Sequence, residues 1–312
     1  MSNKNPKALV LFSGGLDSRL TIKILQQQNI EIDTIFFKLP FGGGCCNNFE
    51  CVFNYSQVQG VKLNVIDCTK EPYLSRYLNI IKHPNHGRGS GINPCKDCKI
   101  FMFILAKELM KKINADFLAT GEVLGQRPFS QLKKDLLLTE EKSGCKGIIL
   151  RPLSAKLLPI TIPEQKKLID REKLLKIEGR QRRIQKELAK EYKIKYPESG
   201  GGCLLCEKDY MPKLKDLFNK NQNIKYEDIL LLRIGRHFRK NGKIVIGKNQ
   251  KQNSELELLN KALKYHIIIP DEIPGPTAIF ENIKDKELTN QLISAYSSNN
   301  FDLRNKFEKY RI

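Results

Sequence analysis

The sequence contains no tryptophan, and aromatic residues occupy only 8% of its 312 positions. It therefore offers no aromatic-rich surface of the kind that binds sugars or lipids. No run reaches the roughly 18 apolar residues that a membrane-spanning helix needs, and the N-terminus lacks the apolar core of a signal peptide. These absences predict a cytoplasmic protein that makes no contact with a membrane.

Acidic residues are scarce relative to basic ones: 34 Asp and Glu stand against 54 Lys and Arg, which gives a net charge of +20. Such a positive field attracts polyanions before any specific contact forms. A Lys- and Asn-rich composition inherited from an AT-biased genome is the alternative explanation. With 40% apolar residues the chain can bury a core, and its length suits two domains. We expect a folded protein with a nucleic-acid partner.

Short apolar strands alternate with helices in the first half of the sequence. Strands are predicted over 7–12, 32–39, 61–66 and 116–120, with helices over 19–28 and 101–112. This alternation is typical of an α/β fold with a doubly wound parallel sheet. Ligands of such sheets bind beyond the carboxyl ends of the strands.

The remaining sequence changes character twice. Residues 163–195 are predicted to be helical, amphipathic and strongly basic, and Asn241-Gly242 separates two strand-like runs as in a hairpin. A further strand is predicted over 230–234. We expect a nucleotide-binding domain over 1–160, a basic Cys-containing extension over 161–225 and a smaller α+β domain over 226–312.

The segment Ser13–Ser18 (Ser-Gly-Gly-Leu-Asp-Ser) lies between the first strand and the first helix. Gly14 and Gly15 allow a sharp turn and a close approach to an anion, and the helix start supplies free N–H groups for phosphate. The side chain of Asp17 either holds a Mg²⁺ ion between itself and phosphate or caps the helix. An ordinary turn between strand and helix is the bland alternative.

This segment resembles the PP-loop of the ATP pyrophosphatases, which have an adenine nucleotide alpha hydrolase-like fold and cleave ATP between the α- and β-phosphates. The resemblance implies ATP and Mg²⁺ as cofactors, with pyrophosphate on the loop and adenine near the first two strands. The residues implied in ATP binding are Leu11, Phe12, Ser13, Gly14, Gly15, Asp17, Ser18 and Phe37.

A second motif follows the strand at 116–120. Residues 120–126 (Thr-Gly-Glu-Val-Leu-Gly-Gln) resemble a block of the tRNA 4-thiouridine synthetases, although one extra residue precedes the later Ser-Gln pair. The resemblance places Gly121 near AMP and gives Glu122 and Gln126 the role of orienting the nucleotide or the target base. Arg151, in an Arg-Pro-Leu sequence as in that family, would neutralise charge on the leaving pyrophosphate.

The nine cysteines include two Cys-x-x-Cys pairs, Cys95/Cys98 and Cys203/Cys206. In a reducing compartment such spacing indicates metal binding or catalysis rather than disulfides. A zinc site, a persulfide-carrying pair without metal and a [4Fe–4S] cluster held by three Cys are the three interpretations. A resemblance to cluster-dependent tRNA thiolases favours the cluster, with Cys95, Cys98 and Cys203 as its ligands and as catalytic residues. Cys45, Cys46 and Cys51 are either incidental loop residues or further site residues.

Basic residues cluster in two further places. Arg180, Arg182 and Arg183 lie in the basic helical segment, where they either contact an RNA backbone or form a solvated face. The second cluster resembles the small RNA-binding domain at the end of NFACT proteins, in its Gly-Arg-x-x-Arg hairpin and in Pro274-Gly275-Pro276. There His237 and Phe238 are expected to stack on bases, beside the RNA-binding residues Arg236, Arg239, Lys240 and Lys243. A dimerisation module is the alternative.

Together the resemblances imply a tRNA sulfurtransferase that adenylates a uridine carbonyl oxygen and replaces it with sulfur, with 4-thiouridine as the expected product. The expected partners are tRNA, a sulfur donor (sulfide or a persulfide carrier) and a second copy of the chain in a homodimer. Since only residues 1–6 precede the first predicted strand, we expect no THUMP domain of the kind that 4-thiouridine synthetases carry ahead of the PP-loop. The alternatives are 2-thiolation of a wobble uridine, a non-catalytic RNA-binding adaptor and a small-molecule synthetase of the PP-loop type.

Overall fold

A computed structural model describes residues 5–42, 49–197, 202–270, 275–297 and 301–312. The chain divides into two compact units, Met1–Cys206 and Glu207–Ile312. Residues 161–206 therefore lie in the first unit and residues 207–225 in the second. In the described part of the chain, no helix is long and apolar enough to cross a membrane.

The first unit is built on a five-stranded parallel sheet, as the alternating pattern predicted. Its strands have the order β3-β2-β1-β4-β5 and the bounds Lys7–Leu11 (β1), Glu31–Lys38 (β2), Lys62–Asp67 (β3), Phe117–Thr120 (β4) and Ile149–Leu150 (β5). Ala8, Leu9 and Val10 are fully buried, because both faces of a parallel sheet are covered. Leu11 is in register with Ile35 of β2 and Thr120 of β4, so three strands end at one edge.

Seven helices of the described first unit surround this sheet. Their bounds are Leu16–Gln26 (α1), Phe49–Val58 (α2), Tyr73–Lys82 (α3), Cys95–Lys112 (α4), Lys133–Lys142 (α5), Ile162–Gln165 (α6) and Arg183–Glu191 (α7). Leu20 and Ile24 of α1 join Phe36 and Phe117 in the main apolar core, and Ala189 brings α7 into the same core. Helix α7 thereby packs beside α1, the helix that follows the glycine-rich loop.

The prediction of one continuous basic helix over 163–195 was wrong. Between α6 and α7 the chain forms a short 3₁₀ turn at Arg171–Lys173 and then runs extended. In that stretch the N–H of Leu175 donates to the carbonyl of Pro152, and the N–H of Ile177 donates to that of Leu153, at 2.9 and 2.8 Å. Ile177 is buried. Hydrogen bonding to a neighbouring segment replaces the helical pattern here, and the apolar spacing alone did not predict it.

The second unit is a smaller α+β domain, as expected. Its antiparallel sheet has the order β6-β7-β9-β8, with strands Arg236–Arg239 (β6), Lys243–Ile246 (β7), His266–Ile268 (β8) and Ala278–Phe280 (β9). The helices are Met211–Lys220 (α8), Tyr226–Leu231 (α9), Gln250–Leu263 (α10), Lys286–Ser297 (α11) and Phe301–Asn305 (α12). The pairing of Arg239 with Lys243 confirms the predicted hairpin.

The strand predicted over 230–234 was wrong, because α9 occupies its first residues. Asp228 accepts a hydrogen bond from the N–H of Lys225 at 2.8 Å, and Glu227 and Asp228 lie in the first turn. Acidic side chains at the start of a helix stabilise it. Glu227 and Asp228 therefore favour a helix here, although the apolar residues that follow them have a strand-like pattern.

Candidate functional site

The glycine-rich loop turns from β1 into α1 in the way that phosphate binding requires. Gly14 has φ +80°, and a Cβ there would lie 2.9 Å from Cγ2 of Val52, so the turn requires glycine. The N-cap of α1 is Gly15, and in the described structure no side chain caps this helix. The first N–H groups of α1 are therefore available to an anion. Asp17 lies inside the helix and is not its cap.

A cleft of about 1010 Å³ opens at the edge where β1, β2 and β4 end. Nearly all residues predicted to bind ATP line it: Leu11, Phe12, Ser13, Gly15, Asp17, Ser18, Phe37, Gly121, Glu122 and Gln126. Gly14 shapes the turn from behind. The structure thus brings the two sequence motifs, which are a hundred residues apart, to one cleft.

The carboxylate of Asp17 is partly buried, and only one of its two oxygens is hydrogen-bonded among the described residues. Its Oδ2 accepts a hydrogen bond from Nε2 of Gln126 at 3.2 Å and lies 3.5 Å from Nη2 of Arg182. Its Oδ1 is buried without a hydrogen-bond partner among the described residues. Burial raises the pKa of Asp17, and the charge of Arg182 partly offsets this. An unsatisfied carboxylate oxygen beside a phosphate-binding loop fits a Mg²⁺ ligand.

Glu122 is held in the charged state by two cations. Lys99 of α4 pairs with one carboxylate oxygen, and Nε of Arg151 donates to the other at 2.9 Å. Burial alone would raise the pKa of Glu122, but Lys99 and Arg151 hold it below the ordinary value. Arg151 also pairs with Glu140. Arg151 is buried and is not among the residues that line the cleft, so it contacts the site through Glu122.

Lys99 was not predicted, although it lines the cleft. Its ammonium group also donates to the carbonyl of Ser130 at 2.9 Å. The available signal was its position four residues after Cys95, since residues four apart share a face wherever the chain is helical.

The two cysteine pairs lie beside the cleft. Cys95 and Cys98 begin α4, where Nδ2 of Asn93 donates to Sγ of Cys95 at 3.0 Å and Tyr77 Oη lies 3.1 Å from Sγ of Cys98. Cys98 immediately precedes the cleft residue Lys99, and Cys203 immediately follows the cleft residue Gly202.

A 3₁₀ turn, Leu204–Cys206, begins directly after Cys203 and ends at Cys206, and it lies next to the approach to α4. The N–H of Ile92 donates to the carbonyl of Leu205 at 3.0 Å. Burial raises the pKa of Cys203, and the charges of Cys98, Cys206 and Cys95 raise it further. Across the described residues, however, no three His, Cys, Asp or Glu side chains converge as metal ligands. The predicted set Cys95, Cys98 and Cys203 is thus neighbouring, but not in a ligating arrangement.

The remaining described cysteines have other surroundings. Cys51 receives a hydrogen bond from Nη2 of Arg19 at 3.0 Å, while Cys68 and Cys145 are buried. Cys45 and Cys46 fall outside the described residues.

The three arginines predicted to contact RNA in the first unit separate into two environments. Arg180 and Arg182 line the cleft together with Lys186. Arg183 has a side chain that is 86% exposed and pairs with Glu187 one helical turn later.

The basic side chains of the hairpin in the second unit also have two kinds of surroundings. Arg239 donates to both carboxylate oxygens of Asp216, at 2.6 and 2.9 Å, and the buried Lys243 lies 3.5 Å from the same carboxylate. By contrast, the guanidinium of Arg236 lies 4.7 Å from the ring centre of Tyr296, and Lys240 lies over the ring of Tyr310.

The expectation that His237 and Phe238 stack on bases was wrong. Both residues are buried, since Phe238 joins the apolar core against α11 and Nε2 of His237 lies 2.9 Å from the carbonyl oxygen of Ile234. Both faces of β6 are covered at this point, so neither ring is available to a ligand.

A glycine-rich loop between the first parallel strand and its helix, opening on a cleft at the carboxyl edge of the sheet, defines an α/β domain with a candidate nucleotide site. Residues 6–159 match the model of the family described as the tRNA methyl transferase HUP domain. The matched residues contain the glycine-rich loop and the five strands of the parallel sheet.

Named relatives cover only part of the chain. The sequence is 28% identical over 127 residues to the tRNA-specific 2-thiouridylase MnmA of Sulfurimonas denitrificans, across 38% of this chain and 35% of that protein. The chain spans about one third of the length of the curated relatives it matches.

Two solved structures are also similar in part. One is the U34-tRNA thiolase NcsA from Methanococcus maripaludis with its [4Fe-4S] cluster, at 16% identity and a TM-score of 0.38, covering 74% of this chain and 72% of that one. The other is a 4-thiouridine synthetase–RNA complex with bound ATP, at 19% identity and a TM-score of 0.38, covering 54% and 42%.

Proposed function

We propose that this protein uses ATP to replace a uridine carbonyl oxygen in tRNA with sulfur. The observation that carries the proposal is the uncapped start of α1 beside Asp17, whose free Oδ1 suits a metal ion bound to phosphate. The family match over residues 6–159 and the named 2-thiouridylase relative support the same class of reaction.

The loop would bind the pyrophosphate portion of ATP. The N–H groups at the start of α1 and the hydroxyls of Ser13 and Ser18 supply donors to phosphate oxygens. Asp17 would hold Mg²⁺, which when bound neutralises charge on the phosphate groups. Phe37 and Leu11 line the same cleft on the strand side, where an adenine ring would find apolar contacts.

The cleft leaves room for a second ligand. Its volume of about 1010 Å³ lies at the upper end of the roughly 300–1,000 Å³ usual for small-molecule sites. A uridine must leave the base stack before its carbonyl can react. In the proposed reaction the uracil oxygen attacks the α-phosphorus of ATP and pyrophosphate departs. Sulfur then attacks the activated ring carbon and AMP departs.

Glu122 would position the reacting groups, since Lys99 and Arg151 fix its carboxylate at the edge of the cleft. Arg151 is thus proposed as a positioning residue rather than a direct partner of pyrophosphate. Gln126, which bonds Asp17, links the same loop to the phosphate end.

Cys95, Cys98 and Cys203 are proposed to act on the sulfur side of the reaction, because they border the cleft next to Lys99 and Gly202. A [4Fe–4S] cluster, a zinc ion and free thiols are the alternatives; a free thiolate would take the outer sulfur of a donor persulfide and release the donor as a thiol, whereas sulfide would have to attack the activated base directly. Since no three ligands converge in the described structure, no step is assigned to a cluster. Anaerobic purification with iron and zinc analysis, on wild type and Cys95→Ala, separates the three.

The tRNA partner is proposed on the charge of +20 and on the basic hairpin, where Lys240 is exposed and Arg236 is half-buried. Arg236 over Tyr296 offers a guanidinium and an aromatic ring side by side, a combination that suits single-stranded RNA.

Position 4 of the uracil is proposed first, on the motif at residues 120–126. Position 2 is the second candidate, favoured by the 2-thiouridylase relative. The test is incubation of unmodified tRNA with protein, ATP and sulfide, followed by mass spectrometry of the nucleosides. We expect 4-thiouridine, with AMP formed in step, and expect Ser13→Ala to abolish both. If wild type forms thiolated uridine without consuming ATP, or no thiolated uridine at all, the proposal is wrong.

A further inference from the structure

The basic segment between Glu178 and Lys195 is fixed over the nucleotide cleft at both of its ends. The N–H of Gly179 donates to the carbonyl of Leu124 at 2.8 Å, and Nη1 of Arg19 donates to the carbonyl of Lys195 at 2.8 Å. Between these anchors α7 packs on α1. The position of its side chains relative to the glycine-rich loop is therefore part of the fold.

This segment gives the cleft an excess of positive charge. Among the described residues that line the cleft, five are cationic (Lys99, Arg127, Arg180, Arg182 and Lys186) and two are anionic (Asp17 and Glu122). Lys99 is already paired with Glu122. Of the other four cations, three belong to the basic segment and Arg127 follows β4. Most of the unbalanced charge thus lies on the side of the basic segment, and an anion with several negative oxygens would compensate it.

Arg182 and a divalent cation compete for the same carboxylate. Nη2 of Arg182 lies 3.5 Å from Oδ2 of Asp17, the residue whose Oδ1 is free for a metal. Two cations on one carboxylate repel each other. The Arg182 side chain is 32% exposed, compared with 14% for Asp17, so the arginine is the partner with room to move.

We propose that Arg182 is an exchange residue: it neutralises Asp17 in the nucleotide-free protein and pairs with phosphate oxygens once a divalent cation binds there. Arg180 and Lys186, on the same wall of the cleft, bind the same phosphate groups. This inference rests on the proposed nucleotide site and deepens it. It assigns Arg180, Arg182 and Lys186 to the binding of ATP, although the sequence of their segment favours contacts with an RNA backbone.

Arg183 provides a matched control because it is the next residue and faces away from the cleft. Its side chain is 86% exposed and pairs with Glu187. Arg183→Ala removes the same charge from the same helix start. Any difference in affinity between this variant and Arg182→Ala therefore comes from contacts in the cleft and not from the change in net charge.

The experiment measures two affinities of the full chain, for pyrophosphate in the presence of Mg²⁺ by calorimetry and for Mn²⁺ alone by electron paramagnetic resonance. We expect Arg182→Ala to weaken pyrophosphate binding about ten- to hundredfold, the scale of hydrogen bonds to a charged group. We expect the same variant to bind Mn²⁺ several-fold more tightly, because the competing cation is gone. Arg182→Lys should retain part of the pyrophosphate affinity, since lysine keeps the positive charge but lacks the paired N–H donors of a guanidinium.

Opposite shifts of the two affinities would not arise from a merely structural defect, and thermal unfolding of each variant checks that it folds. The proposal is overturned if Arg182→Ala binds pyrophosphate like wild type, or if Arg183→Ala loses as much affinity. Loss of tRNA binding with unchanged pyrophosphate affinity would place the segment on RNA and overturn it too. If wild type binds neither pyrophosphate nor ATP, the proposed function itself fails.

Discussion

Gly121 at the end of β4 touches the backbone of Asp17 at the start of α1. A Cβ at position 121 would lie 2.6 Å from both the carbonyl carbon of Asp17 and the nitrogen of Ser18. The motif that follows β4 and the phosphate loop are therefore packed directly against each other. The absence of a side chain at Gly121 sets the width of the cleft between them.

Gly121→Ala is expected to weaken ATP binding at least tenfold. The added methyl group would collide with the backbone of Asp17 and Ser18 and push the glycine-rich loop out of position. Overpacking of this kind destabilises a structure by about 1–3 kcal/mol. Calorimetric titration with ATP measures the effect.

Gly202→Ala is the control for this substitution, since a Cβ at this cleft residue has nothing within 4 Å. It should bind ATP like wild type. Equal affinity in both variants would mean that the loop tolerates the methyl group and that the close contact is not restrictive.

The sequence was informative where local geometry and chemistry coincide. The uninterrupted apolar residues Ala8, Leu9 and Val10 predicted a buried parallel strand, and the glycines after it predicted the phosphate turn. Because parallel strands end at a common edge, the order of the residues alone was enough to place Gly121 and Glu122 near that turn.

The sequence could not predict the ion pairs of Arg151 and Arg182, because their partners lie on other elements of the fold. Arg151 was expected to face pyrophosphate, yet its charge is taken up by Glu122 and Glu140. Arg182, placed on an RNA-facing helix by its neighbours, pairs with Asp17. Nothing next to these arginines in the sequence distinguishes them from Arg183. The partners of Arg151 lie on other elements of the sheet domain, and the partner of Arg182 is in the glycine-rich loop region near the start of the chain.

Lys213 should make the stability of the second unit depend on pH. Burial, with the nearby charges of Lys248, Lys243 and Arg311, lowers the pKa of this lysine from 10.5 to about 8. The unfolded chain therefore binds more protons between about pH 8 and pH 10.5, so this residue's contribution to stability improves as pH rises through that window.

Denaturant unfolding of wild type and Lys213→Met at pH 7 and pH 9.5 tests this. We expect wild type to gain stability relative to the variant at the higher pH. Lys215→Met, which removes an exposed lysine of the same helix, controls for the loss of one charge. A difference between wild type and Lys213→Met that does not change with pH would contradict the assignment.

Arg236 and Arg239 are three residues apart on β6, but we expect their alanine variants to differ: one in tRNA binding and the other in the stability of the second unit. Arg239→Ala leaves the carboxylate of Asp216, which is 12% exposed, without its two-fold hydrogen bond, and we expect the second unit to lose about 1–3 kcal/mol of stability. Arg236 lies over Tyr296 and donates to the carbonyl of Gly247 at 3.2 Å, but it pairs with no carboxylate among the described residues. We expect Arg236→Ala to weaken tRNA binding about tenfold and to cost less stability than Arg239→Ala.

Salt titration sharpens the Arg236 measurement. Loss of one phosphate contact lowers the slope of log affinity against log salt by about 1, whereas an unfolded domain would remove binding altogether. Wild-type affinity and slope in Arg236→Ala would exclude this part of the hairpin from the RNA surface.

The cysteines next to the cleft should separate the two halves of the proposed reaction. Cys95, Cys98 and Cys203 lie beside cleft residues but, within the described structure, do not belong to the cleft lining itself. Substituting any one of them with alanine is expected to leave ATP–pyrophosphate exchange within about threefold of wild type while thiolated product falls about a hundredfold or more, on the scale of losing a nucleophile or its activation. Cys145→Ser is the matched control, because Cys145 is buried and outside the cleft lining. It donates weakly to the carbonyls of Phe103 and Ser143, a role that a serine hydroxyl can keep. If the three alanine variants lose exchange and thiolation together, the thiols support the nucleotide site and do not handle sulfur. If they lose neither, sulfur reaches the activated base without them, and a donor protein must bring its own reactive sulfur to the cleft.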